Sequence, residues 1–216
     1  MSAKLENALG RLKAILPLAE RQNACGKPIR ELHQQILRSF VTKGRILSRE
    51  EMALQVADLE EAIGVLRNCD MVLFSEDGKP IGAYPFTMEP REHSVRVNGH
   101  RVHAVCALDA LAVSPMFGMK TEIDSLCRIT GDRVDIRQSG KTIENPDNVG
   151  DLHLGVAWGA ADTGGCCANS LCREMMFLRD GDVARRWLED DSGNREVFTL
   201  PEAVEFASRL FVPLMS

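Results

Sequence analysis

Apolar residues recur at helical spacing through the N-terminal third of the chain. Leu5, Leu9, Leu12 and Leu16 fall on one face, and Pro17 ends the helix they predict. Pro28 suits a first helical turn. Ile29, Leu32, Ile36 and Phe40 behind it form the stripe of a second helix that stops at Gly44. Ser48 with Glu51, and Asp58 with Glu61, have capping-box spacing and open a third and a fourth helix, the fourth with Leu59, Ile63 and Leu66 inward. The pattern then changes. Residues 71–74 and 81–86 flank a turn at Asp77-Gly78, which predicts a hairpin. Helices followed by a hairpin have the layout of a winged helix-turn-helix module.

From residue 91 the pattern is mostly of strands. Residues 93–97 and 101–104 flank Asn98-Gly99, a strong short hairpin signal. A short helix is predicted over 106–113, broken by Pro115 and Gly118. Strands are predicted at 121–128, 133–137, 152–158 and 167–178. A helix follows over 182–189, and the Thr199/Glu202 capping box opens a last one through Phe211. The expected class is α+β: a winged-helix-like helical module over 1–90, then a mixed β-sheet domain with flanking helices over 91–216. The boundary falls at Glu89-Pro90-Arg91, with room for the two parts to share a core.

Composition narrows the functions. With 44% hydrophobic and 26% charged residues the chain is an ordinary globular sequence, and a formal charge of −5 gives no general attraction to nucleic acid or anionic lipid. No apolar run is long enough to span a bilayer, and Lys4, Glu6, Arg11 and Lys13 interrupt the N-terminal leucines, so no signal peptide is expected. The cytoplasm is the expected address. Seven cysteines, an odd number in a reducing compartment, argue for free thiols rather than a disulfide framework.

Two cysteine constellations carry candidate chemistry. In the first, Cys106 and Asp109 are three apart and share a face if a helix begins there. A helix N-terminus favours a thiolate, and a carboxylate one turn on can accept and return a thiol proton. The same spacing is also what a buried cysteine beside a capping carboxylate would give. In the second, Gly164-Gly165-Cys166-Cys167 puts vicinal thiols after two glycines; on a strand they point to opposite faces. Cys172, five residues beyond Cys167, shares a face with Cys166 only if the strand has no bulge. The five histidines make no ligand pattern, and no close cysteine pairs of structural-zinc type occur.

The stretch His103 to Leu111 (HAVCALDAL), with Ser125-Leu126-Cys127, Thr130-Gly131 and then Cys166-Cys167, resembles the organomercurial (alkylmercury) lyases. The likeness extends over roughly residues 28–211 and is specific in the cysteine motifs. It implies protonolytic cleavage of a carbon–mercury bond. Cys106 and Cys166 would be the mercury-binding catalytic thiols, Asp109 the proton carrier, Cys167 a further mercury ligand, and Cys127 structural. It implies no organic cofactor, an organomercurial substrate, and a mercuric reductase or small thiols as acceptor of Hg(II). The chain departs from the family's pattern at Val105, at the two glycines before the cysteine pair, and in the extra thiol of Cys172. A thiol-based soft-metal carrier or sensor of the same fold is the alternative. A DNA-binding regulator ranks below it, because the segment 58–69 sets Glu60 and Glu61 against one Arg67.

Overall fold

Five helices precede the first strand. The computed structural model describes residues 2–161 and 166–216, so Gly164 and Gly165 of the predicted glycine loop lie outside the described residues. The helices are α1 (Ala3–Ile15), α2 (Leu18–Ala24), α3 (Lys27–Lys43), α4 (Arg49–Ala53) and α5 (Leu59–Asn68). Their ends follow local chemistry. Gly44 takes φ 68° to close α3, the Ser48–Glu51 capping box has both its hydrogen bonds, and the Asp58 carboxylate accepts the Glu61 N–H. The pattern did not show α2, which starts directly after Pro17.

Strands β1 (Val72–Phe74), β2 (Pro80–Ala83), β3 (Phe86–Thr87), β4 (His93–Val97) and β5 (His100–Ala104) lead into α6 (Ala107–Phe117). Then come β6 (Lys120–Leu126), β7 (Arg133–Ser139) and β8 (Thr142–Ile143). Together they form one eight-stranded antiparallel sheet in the order β1-β2-β3-β5-β4-β6-β7-β8. The strand predicted over 81–86 is thus two strands, folded back at Tyr84-Pro85. Gly82 allows the fold, since a Cβ there would stand 2.5 Å from the Phe86 carbonyl oxygen. The β1–β2 hairpin is no free-standing wing: it is the sheet's outer edge, and β3 pairs with β5 across the 89–91 stretch. Phe40 of α3 stacks on Phe86 of β3 with ring centroids 4.8 Å apart, seating the helices on the sheet. One buried cluster runs from Leu5 to Leu214.

The rest of the chain adds α7 (Pro146–Val149), β9 (His153–Ala157), β10 (Met175–Leu178), α8 (Gly181–Glu189), β11 (Arg195–Thr199) and α9 (Leu200–Phe211). The second sheet is antiparallel in the order β10-β9-β11. A parallel bridge between Cys127 and Phe177 links the two sheets. The architecture is α+β, antiparallel sheets with flanking helices.

Two local expectations are corrected. The segment 167–178 is strand only at its end; before β10 it coils into the 3-10 turns Cys167–Asn169 and Leu171–Glu174. Helix α6 does not stop before Pro115 but runs through it to Phe117, ending at left-handed Gly118. Proline lacks the N–H that would bond the carbonyl four residues back. That carbonyl, of Leu111, accepts instead from the Gln138 side chain at 3.0 Å. Helix α6 is buried on nearly every side, which fixes what stands at its N-terminus.

Candidate active site

Cys106 lies where β5 turns into α6. Its backbone is extended (φ −149°, ψ 179°) and its sulfur accepts the Asp109 N–H at 3.4 Å, so the thiol caps the helix. The three-residue spacing then sets the Asp109 carboxyl beside the sulfur. Both residues are 2% exposed.

The second sulfur at this place belongs to Cys172. The 3-10 turn Leu171–Glu174 carries it inward. One ligand atom each of Cys106, Asp109 and Cys172 lies within 4.8 Å of the other two, and this is the one metal-sized group of Cys, His, Asp and Glu among the described residues. Cys167 extends it, with its sulfur 3.3 Å from that of Cys172. The Met175 thioether sits 3.7 Å from the Cys106 sulfur. The cluster is therefore rich in soft, polarisable donors.

The sequence expectation had Cys166 in this position. Its sulfur instead lies 3.3 Å from the Tyr84 hydroxyl and it joins no metal-sized group with Cys106 and Asp109 among the described residues. The reason is the local coil. On a strand, residues 167 and 172 would be far apart on opposite faces; in successive turns their sulfurs meet. Cys166 is half-buried and lines an open pocket of about 450 Å³ together with Asp70, Arg91 and Arg173. Cys106, Asp109 and Cys172 do not line that pocket; they lie behind its wall.

That wall is tied down by residues the sequence reading passed over. The Ala168 N–H donates to the Tyr84 hydroxyl at 2.8 Å, and the Cys167 N–H donates to the Asp70 carboxylate at 3.2 Å. The Tyr84 hydroxyl in turn donates to Asp70 at 3.3 Å, and the Arg91 guanidinium donates to the Ala168 carbonyl at 3.2 Å. The one available signal was that Tyr84 is the chain's single tyrosine.

Burial governs the site's electrostatics. It pushes the Cys106 thiol up to about 11, and the neighbouring Asp109 charge adds to the shift. The helix N-terminus was expected to lower this thiol; full desolvation outweighs the few partial charges of a helix end. Cys172 is raised well above the usual thiol value by its hydrogen bonds to Cys106 and Cys167 and then by burial. Burial also carries Asp109 up to about 7, although hydrogen bonds from Cys106 oppose it. One Asp109 oxygen, Oδ2, is buried without a hydrogen-bond partner among the described residues. A carboxyl in this setting can take or release a proton near neutral pH.

Other candidates lie elsewhere. Cys127 is fully buried in a small apolar cluster with Met176, Leu178 and Trp187. His103 sits half-buried on β5 against the Arg91 backbone.

Residues 86–212 match the family described as MerB: Alkylmercury lyase. The chain belongs to the alkylmercury lyase family. An alkylmercury lyase of Bacillus cereus is 25% identical over 184 residues, spanning 83% of this chain and 80% of that protein. One from Staphylococcus epidermidis is 26% identical over 178 residues, spanning 81% and 79%. The fold is similar to the crystal structure of the mercury-bound form of MerB2, with a TM-score of 0.73 at 18% identity over the whole of both chains. In this alkylmercury lyase family member the matched span holds Cys106, Asp109, Cys166, Cys167 and Cys172. It begins after Asp70 and Tyr84. Among the described residues no helix is long and apolar enough to cross a membrane.

Proposed function

We propose that this chain cleaves the carbon–mercury bond of an organomercurial to a hydrocarbon and Hg(II), with Cys106 and Cys172 as the paired thiols and Asp109 as the proton carrier. The observation that carries this is the meeting of those three side chains within 4.8 Å.

The chemistry follows from softness and protonation. Mercury prefers sulfur to oxygen or nitrogen. One thiol takes R–Hg+ from a small thiolate, R–Hg–SR′ plus Cys-SH giving Cys-S–Hg–R plus HSR′. Both cysteines start protonated, so sulfur yields its proton as the metal binds. When the second sulfur adds to mercury, its proton passes to Asp109. Two thiolates push electron density into the carbon–mercury bond, and the carbon leaves as an incipient carbanion. Asp109 then delivers the proton to it. The balance is Cys-S–Hg–R plus Cys-SH giving the dithiolate of Hg(II) plus R–H, with no organic cofactor. With its pKa carried to about 7, Asp109 can take that proton as a carboxylate near neutral pH, and the buried, water-poor setting keeps it on the acid until the carbon receives it.

Cys167 touches Cys172, and Cys166 faces the pocket. These two are the next sulfurs for departing Hg(II), with a mercuric reductase or small thiols as acceptor beyond them.

The test is headspace detection of benzene from phenylmercury incubated with the reduced protein. Stoichiometric benzene is expected, with none from Cys106→Ser or Cys172→Ser. Full release by Cys172→Ser together with none by Cys166→Ser would return the second-thiol role to Cys166.

A further inference from the structure

Cys25 and Cys69 are used neither by the proposed reaction nor by the matched family span. Cys25 ends α2 and Cys69 ends α5, and two separate helices thereby bring their sulfurs to 3.8 Å. Both residues are half-buried, so solvent reaches them, unlike Cys106 and Cys172. Arg21 fixes the pair from both sides. Its carbonyl accepts the Cys25 thiol at 3.0 Å and its guanidinium donates to the Cys69 carbonyl at 3.0 Å.

We propose that Cys25 and Cys69 form a second, solvent-reachable dithiol site that binds a soft two-coordinate ion, Hg(II) above all.

The donor set selects the ion. Among the described residues no His, Asp or Glu completes a metal-sized group with this pair. Zinc, which wants four ligands, is thereby disfavoured, and a soft ion content with two sulfurs is favoured. Taking a metal–thiolate bond as about 2.3 Å, as for zinc, an ion held in line between two sulfurs needs them about 4.6 Å apart. The observed 3.8 Å requires less than an ångström of opening at two helix ends. Burial, and the hydrogen bond to Cys69, push Cys25 up to about 11, so the resting Cys25 thiol is protonated. Binding is then an exchange without redox: two thiols plus Hg2+ give the mercury dithiolate plus two protons released to water. Asp70, next to Cys69 in the chain, lines the same pocket as Cys166. The source of the ion rests on the proposed lyase reaction; the site itself does not.

The experiment uses the reduced full chain loaded with mercuric chloride, challenged with excess glutathione, and desalted. Bound mercury per chain is measured for the native protein and for Cys25→Ser/Cys69→Ser. The double variant should retain one mercury fewer and release benzene from phenylmercury at the native rate. In the native protein, loading should also protect the peptides carrying Cys25 and Cys69 from iodoacetamide. Equal mercury content in the two proteins, or alkylation of both cysteines undiminished by loading, overturns the proposal. A missing mercury in the variant with no benzene from either protein would leave this site standing while the lyase reading fell.

Discussion

The sulfurs of Cys167 and Cys172 lie 3.3 Å apart, although five residues separate them. Two consecutive 3-10 turns make that contact, and it presents Cys172 to Cys106. The rank order of cysteine variants follows from it. Cys106→Ser and Cys172→Ser should fall to background in single-turnover benzene release. Cys166→Ser should keep that first turnover and lose rate only over repeated cycles, where mercury must leave. Quench-flow measurements of the first and later turnovers separate the two effects.

The same contact predicts sensitivity to oxidants. A disulfide needs its sulfurs at about 2.05 Å, a short closure from their present separation. Diamide, the hydrogen acceptor, should link Cys167 to Cys172 and so remove a reacting thiol. Loss of benzene release should be reversed by dithiothreitol and should be absent in Cys167→Ser. Peptide mapping would show the linked pair two hydrogens lighter.

Asp109 gives a pH signature in stability. Its folded pKa, about 7, stands above its usual 3.8 because of burial. Between those values the folded chain holds a proton that the unfolded chain has lost. The contribution to stability is full below the lower value and is lost as pH rises through the upper one, at about 1.4 kcal/mol per unit. Asp109→Asn removes this slope. In urea unfolding the variant should gain on the native protein by a few kcal/mol between about pH 4 and pH 8. Its benzene release should fall by about 10²–10⁴-fold, the usual worth of a positioned proton carrier.

Gln138 substitutes for the hydrogen bond that Pro115 cannot make. Its side-chain nitrogen serves the carbonyls of Leu111 and Gly140 at 3.0 and 2.8 Å. Gln138→Met keeps the bulk and orphans both acceptors, which should cost about 1–3 kcal/mol in urea unfolding. Pro115→Ala in that background should recover part of the loss, because alanine restores the helix's own bond.

What the sequence made legible was local. The Ser48–Glu51 and Thr199–Glu202 boxes close as their spacing implies, and Cys106 stands at a helix start with Asp109 beside it. What it hid was set by distant partners. The run of α6 past Pro115 depends on Gln138, which lies 27 positions from Leu111. The Cys166–Ala168 turn is held by Asp70 and Tyr84, which sit 97 and 84 positions from their partners Cys167 and Ala168. Residues 167–178 read as one strand because the 3-10 coil of 167–174 leaves no distinct period ahead of the apolar run Met175–Leu178. The strand reading hid the approach of Cys172 to Cys106, while Cys166 had come forward as the second thiol through the family resemblance.

The Asp70 and Tyr84 bonds have one more consequence. A protein cut ahead of Phe86 would still carry Cys106, Cys172 and Asp109, yet its cysteine loop would lose both moorings. The opening helices and hairpin are thus part of the reaction chamber's masonry, and divergence there would retune the chemistry without touching a reacting atom.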